Sequence, residues 1–174
     1  MKKAVLFLIM FFAICIGPSY SYTLKGEVTY TVERARKEAF ANVEYSLPQS
    51  IIDKNIKDPN FKENIKAIKL GATELKDRYI GKFSNGAYAI VYKKNMHYVY
   101  YYKQTGELKS IEKRKSLQAP TSSLSYTPQG QLEDVTFILS PSNIYVFDVK
   151  GKFVCHWVGD KAYDKNGKVI LTRY

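Results

Sequence analysis

Seven carboxylates, Glu107, Glu112, Glu133, Asp134, Asp148, Asp160 and Asp164, crowd the chain after residue 106. Two acids brought together by folding can hydrolyse a glycosidic bond, one as proton donor and the other as nucleophile or base. Most of the seven sit at or near turn residues, where acids are common for conformational reasons. A small envelope hydrolase is therefore an alternative, not the main reading. Cys155 beside His156 offers a thiol next to a base. Neighbours in a strand point to opposite faces, which separates the two and leaves Cys155 as a small buried apolar residue. Metal chemistry has little to work with: the histidines are His97 and His156, and there is no HExxH or CxxC. Asp160, Asp164 and Asn166 ahead of Gly167 miss the alternate-position spacing of a calcium loop. We expect no catalytic residue, no metal and no cofactor.

Recognition is the chemistry the composition favours. Centring a hairpin on Asn95 brings Tyr92 opposite Tyr98, Ile90 opposite Tyr100 and Tyr88 opposite Tyr102. These rings read first as sheet packing, but an exposed row of them would suit sugar faces or extended peptides. Lys93 and Lys94 cap this hairpin, and Lys113, Arg114 and Lys115 form the densest local charge. The candidate binding set is thus Tyr88, Tyr92, Tyr98, Tyr100 and Tyr102 with those five cations, directed at phosphate or carboxylate polymers. The same lysines also read as a solvated strand end that discourages edge pairing.

The elements that would position these residues begin with MKKAVLFLIMFFAICIGPSYS, two lysines, an apolar run from Ala4 to Ile16, then Gly, Pro and small residues. This is the layout of a secretory signal peptide, residues 1–21, and its apolar run is too short for a permanent membrane span. Lipidation at Cys15 is disfavoured by the bulky Ile14 before it. Cleavage would leave residues 22–174 as one domain, exported to the periplasm, cell surface or medium. The formal charge of +11 would drop to +9 with the loss of Lys2 and Lys3. An exported protein so charged meets anionic envelope polymers or acidic proteins before nucleic acid, so we expect an envelope protein or anionic polymer as partner. Cys155 alone would remain, so no internal disulfide can form.

Within that domain, residues 22–72 read as a helical N-terminal segment. A short extended stretch around Leu24 to Tyr30 comes first. Val32, Ala35, Ala39, Phe40, Val43 and Leu47 then share one face of a helix that Pro48 ends. Asp58 and Pro59 open a second helix, striped by Phe61, Ile65 and Ile68 and stopped at Gly71. Residues 73–174 are instead β-branched and aromatic runs separated by turn residues, the pattern of an antiparallel meander of about eight to ten strands.

One skeleton recurs in four of the turns: Tyr102, Gly106, Leu108; Tyr126, Gly130, Leu132; Phe147, Gly151, Phe153; and Tyr163, Gly167, Val169. A three-residue loop combines a type I turn with a left-handed residue, where glycine is least strained, and the resulting bulge fixes the strand register. The spacing predicts Lys103 paired with Glu107 and Tyr102 directly opposite Leu108. The unit Tyr163-Asp164-Lys165-Asn166-Gly167-Lys168-Val169 resembles the YD repeat of Rhs-type bacterial surface proteins. Tyr102 to Leu108 and Tyr126 to Leu132 are similar to the MORN-type hairpin repeats of some bacterial antitoxin-like proteins. Across residues 98–174 the resemblance implies a hairpin-built sheet used for scaffolding or interaction.

The expected whole is an α+β domain, two N-terminal helices packed on an antiparallel meander that curls toward a barrel. Its expected role is a non-catalytic structural or interaction module of the bacterial cell envelope. The alternatives are a binder of anionic glycan or envelope polymer, and the small hydrolase above.

Overall fold

The computed structural model describes residues 31–174. The segment read as a signal peptide and the extended stretch at Leu24 to Tyr30 lie outside them. Ten strands follow one another as neighbours in a single antiparallel sheet. They are β1 (Arg78–Lys82), β2 (Tyr88–Tyr92), β3 (Tyr98–Tyr102), β4 (Leu108–Arg114), β5 (Thr121–Tyr126), β6 (Leu132–Ser140), β7 (Asn143–Asp148), β8 (Phe153–Val158), β9 (Lys161–Tyr163) and β10 (Val169–Thr172).

The glycine skeleton sets the register as the spacing predicts. Tyr102 faces Leu108, Tyr126 faces Leu132, Phe147 faces Phe153 and Tyr163 faces Val169. Gly106, Gly130, Gly151 and Gly167 hold φ between +75° and +82°, the left-handed region that disfavours any residue with a Cβ. Each glycine donates its N–H to a carbonyl three residues earlier, and the backbone of Lys103 donates to Glu107 at 2.9 Å. Gly86 repeats the device in a fifth hairpin, with Lys82 opposite Tyr88 where the other units have an aromatic residue ahead of the loop. Between β2 and β3, Tyr88 faces Tyr102 and Ile90 faces Tyr100.

The sheet curls into a half-barrel. Strand-to-strand twist brings its two edges together at one end: Phe83 bridges Arg173, and Lys82 and Tyr174 exchange backbone hydrogen bonds of 2.8 and 3.4 Å. Further along, the edge of β1 is covered by Thr73–Leu75, whose backbone bonds to Ile80 and Arg78.

The helical segment departs from the expectation of two helices in an α+β fold. The chain is mainly β, with three short helices among the described residues: α1 (Val32–Ala39), α2 (Gln49–Asp53) and α3 (Phe61–Lys69). The helix expected from Val32 to Leu47 stops at Ala39 because its continuation is taken by a hairpin. Leu47 donates its N–H to the Gly130 carbonyl at 2.9 Å, and Leu132 donates to Tyr45 at 3.1 Å. Eleven residues on, the pattern recurs: Asp58 donates to Gly106 at 2.8 Å and Leu108 to Ile56 at 3.0 Å. A proline follows each of these contacts, Pro48 and Pro59, and a helix starts just beyond. The segment is a strap laid across hairpin tips, and its helices cover one face of the sheet. Ala35, Ala39, Ile52 and Ala67 are buried there against Tyr88, Ile90, Tyr102, Ile111, Leu124, Tyr126, Val135 and Phe147.

A polar thread anchors this layer. Asp58, buried, accepts hydrogen bonds from the Tyr88 hydroxyl at 2.7 Å, from Asn64 Nδ2 at 2.8 Å and from the Asn60 N–H at 2.9 Å. The Arg78 guanidinium, also buried, donates to Asn64 Oδ1 at 2.8 Å and pairs with Asp77 at 2.9 Å and with Glu63. No helix among the described residues is long and apolar enough to cross a membrane.

Candidate binding site

The tyrosines singled out in the sequence lie on the covered face. Tyr88 and Tyr102 stack with centroids 5.5 Å apart beneath the helices, 1% and 0% exposed. Tyr92, Tyr98 and Tyr100 are half-buried and pack against the same core. The five rings are thus brought together, Tyr88 and Tyr102 within the core and Tyr92, Tyr98 and Tyr100 along its margin. Burial, reinforced by Asp58, raises the Tyr88 and Tyr102 hydroxyls well above the usual tyrosine range.

The five cations are split among different surroundings. Strand alternation sends Lys113 toward the strap, where it meets Glu44 at 2.6 Å, and Arg114 to the opposite face. Lys93 pairs with Glu74 at 2.6 Å and lies 5.0 Å from the Tyr79 ring centroid. Lys94 and Lys115 are exposed. The sequence counted these residues as neighbours without assigning them to faces. The paired carboxylates Glu74 and Glu44 lie outside the run that drew attention to the charge.

The concave face, away from the helices, encloses a cavity of about 560 Å³. That is the size of a site for a small ligand. Its walls come from the alternate residues of nearly every strand: Ala89 and Val91 of β2, Val99 of β3, Ile138 of β6, Ile144 and Val146 of β7, and Trp157 of β8. The closed end is braced by aromatic contacts from Phe83 to Tyr101 and Trp157, with centroids 6.0 and 6.3 Å apart.

Charged side chains enter this wall at three places. The Tyr101 hydroxyl donates to Glu112 Oε2 at 2.6 Å, and Arg114 Nε donates to Glu112 Oε1 at 3.0 Å. Burial and the Glu112 charge hold the Tyr101 hydroxyl protonated. At the closed end, Arg173 donates to the Pro141 and Gly159 carbonyls at 2.9 and 2.8 Å, lies 3.5 Å from Asp160, and sits over the Trp157 ring. At the far side Asp134 of β6 lines the cavity with Ser110, Ser125 and Lys109. Burial first, then the Glu133 charge and to a smaller degree Asp148, raise its carboxyl to about 6 against the pull of Lys109.

Of the seven carboxylates considered for hydrolysis, Glu112, Asp134 and Asp160 line the cavity, and Glu112 and Asp160 are held by cations. Cys155 and His156 face opposite sides. Burial raises the Cys155 thiol to about 11, while His156 stacks on Tyr145 at 4.1 Å and meets Asn143 at 2.7 Å. No group of three or more His, Cys, Asp or Glu among the described residues could hold a metal ion. A second, shallower groove of about 630 Å³ lies on the helix side between Val32 and the β9–β10 hairpin, where Phe153, His156 and Val158 contribute its walls. Comparison of the chain with protein-family models, curated proteins and solved structures finds no match.

Proposed function

We propose that this chain is a non-catalytic binding module of the cell envelope whose half-barrel holds a small, mainly apolar ligand. The observation that carries the reading is the concave cavity of about 560 Å³, lined by aliphatic and aromatic side chains and interrupted by a few placed polar groups. Glu112 already accepts from Tyr101 and Arg114, an arrangement suited to holding a wall in place and poorly suited to general acid or base work. Export of the chain through its signal-like first residues belongs to the same proposal.

Trp157, the sole tryptophan of the chain, lines the cavity and reports on its occupancy. Titration with the neutral dye N-phenyl-1-naphthylamine is expected to give saturable one-to-one quenching of Trp157 with a matching rise in dye emission. Val146→Phe, which fills the cavity from β7, is expected to weaken the dye by about tenfold with an unchanged melting temperature. Non-saturable binding, or identical binding by the filled variant, refutes the cavity as the site. The alternative, an anionic envelope polymer held at the surface, is favoured by the net positive charge. It predicts affinity that collapses with added salt and ignores Val146→Phe.

A further inference from the structure

Resting on that reading of the cavity, its polar groups differ in one respect that bears on the ligand. Glu112 pairs with Arg114 and accepts from Tyr101, and Arg173 pairs with Asp160 and donates to two carbonyls. The Asp134 carboxylate accepts no hydrogen bond and forms no ion pair among the described residues, although it lines the same cavity and is half-buried. Its surroundings do not offset this. In the ladder it lies directly opposite Asp148 of β7 and Ser125 of β5, and Asp148 is turned onto its own hairpin by the Lys150 and Lys152 N–H groups. Cys155 of β8 contributes a protonated thiol and Glu133 a further negative charge. Among the described residues, Lys109 of β4 pulls against the raised Asp134 carboxyl, and it is exposed. A half-buried carboxylate without a donor in an otherwise satisfied apolar cavity leaves a demand that a ligand can meet.

We propose that the cavity selects a ligand with an apolar body and a cationic amine end, the body lying along Val99, Ile138, Ile144 and Trp157 and the ammonium donating to Asp134. A charged donor to a desolvated carboxylate gains more than a neutral one, so the head group dictates affinity once the chain is seated. Such ligands include amine-bearing lipids and amphiphilic amines. An acidic amphiphile would place two negative charges together at Asp134.

The test is a Trp157 titration with three probes that share one tail: decylammonium, decanol and decanoate, at pH 7.5 and below their micelle concentrations. Decylammonium is expected to bind about tenfold tighter than decanol, and decanoate more weakly than either. Asp134→Asn should bring decylammonium down to decanol and leave decanol unchanged. Lowering the pH to 4.5 should do the same to the natural chain, because Asp134 is protonated while the amine stays charged. The asparagine variant shows no such pH response if Asp134, and not Asp148 or Glu133, is the group responsible. Decanol or decanoate binding as tightly as decylammonium, or a preference that survives in Asp134→Asn, overturns the inference and leaves the cavity as an apolar site. Failure of all three probes to affect Trp157 removes the cavity reading itself, and this proposal with it.

Discussion

The hairpins β3–β4 and β5–β6 share their skeleton with β9–β10, and the comparison separates what the motif does from what its surroundings add. At the first two, the strap from Tyr45 to Asp58 closes on the glycine. A Cβ added at Gly130 would lie 2.8 Å from the Leu47 carbonyl oxygen, and one at Gly106 would lie 2.6 Å from the Phe61 ring. At Gly151 of β7–β8 the contact is looser, 3.3 Å to the flexible Arg36 side chain, and at Gly167 nothing among the described residues lies within 4 Å. The turn and register are nevertheless the same in all four. The motif therefore sets turn and register within the sheet without the strap. Burial of the hairpin is added by a segment more than forty residues away in sequence for Gly106 and more than seventy for Gly130.

Asp58 anchors the strap most strongly. Asp58→Ala leaves the Tyr88 hydroxyl and Asn64 buried without their acceptor, and is expected to cost about 4 kcal/mol in urea unfolding. An equal loss on Asp53→Ala, an exposed residue of the same strap, would show that the buried contacts of Asp58 contribute nothing specific. The clasped and free glycines differ by less. Gly167→Ala should cost about 1 kcal/mol, the strain of a left-handed alanine alone. Gly130→Ala should cost about 3 kcal/mol, because the Leu47 carbonyl is backbone and cannot swing aside. Equal losses at the two sites would mean that the strap does not clasp the hairpin tip.

A smaller effect distinguishes the stacked pair under the strap. Tyr88→Phe removes a bond to a buried carboxylate and is expected to cost about 1.5 kcal/mol. Among the described residues the buried Tyr102 hydroxyl has no partner, so Tyr102→Phe should be neutral or slightly stabilising. A pH-dependent effect lies on the concave face. The raised Asp134 carboxyl means that the folded chain keeps a proton the unfolded chain has already released between about pH 4 and pH 6. Stability from this group is therefore present at low pH and is lost as pH rises through that window. Asp134→Asn should match the natural chain near pH 4 and exceed it by about 1 kcal/mol at pH 7.5, a modest gain because the carboxyl is partly solvated. Chemical unfolding at the two pH values measures it.

These contrasts also mark where sequence reading reached its limit. Tyr102 opposite Leu108 was legible because a turn and a left-handed glycine fix both partners within seven residues. The end of α1 at Ala39 was not, because Val43 and Leu47 continue the helical period and the competing partner is the Gly130 carbonyl. Likewise Lys113, Arg114 and Lys115 read as one patch, yet Arg114 turns inward to Glu112, a residue the pattern of charge gave no reason to pair with it. Asp134 was visible as one of seven acids, without any signal marking it as the one left inside the cavity.

The amino-acid order alone determined the hairpins, their register and the alternation of faces, since each depends on contacts between residues close in the chain. Which face the strap would cover, the joining of Phe83 to Arg173 and the hollow between them depended on accumulated strand twist and on pairings between distant segments. Twist adds a small rotation at every strand, and only the sum over ten of them decides whether a sheet encloses space.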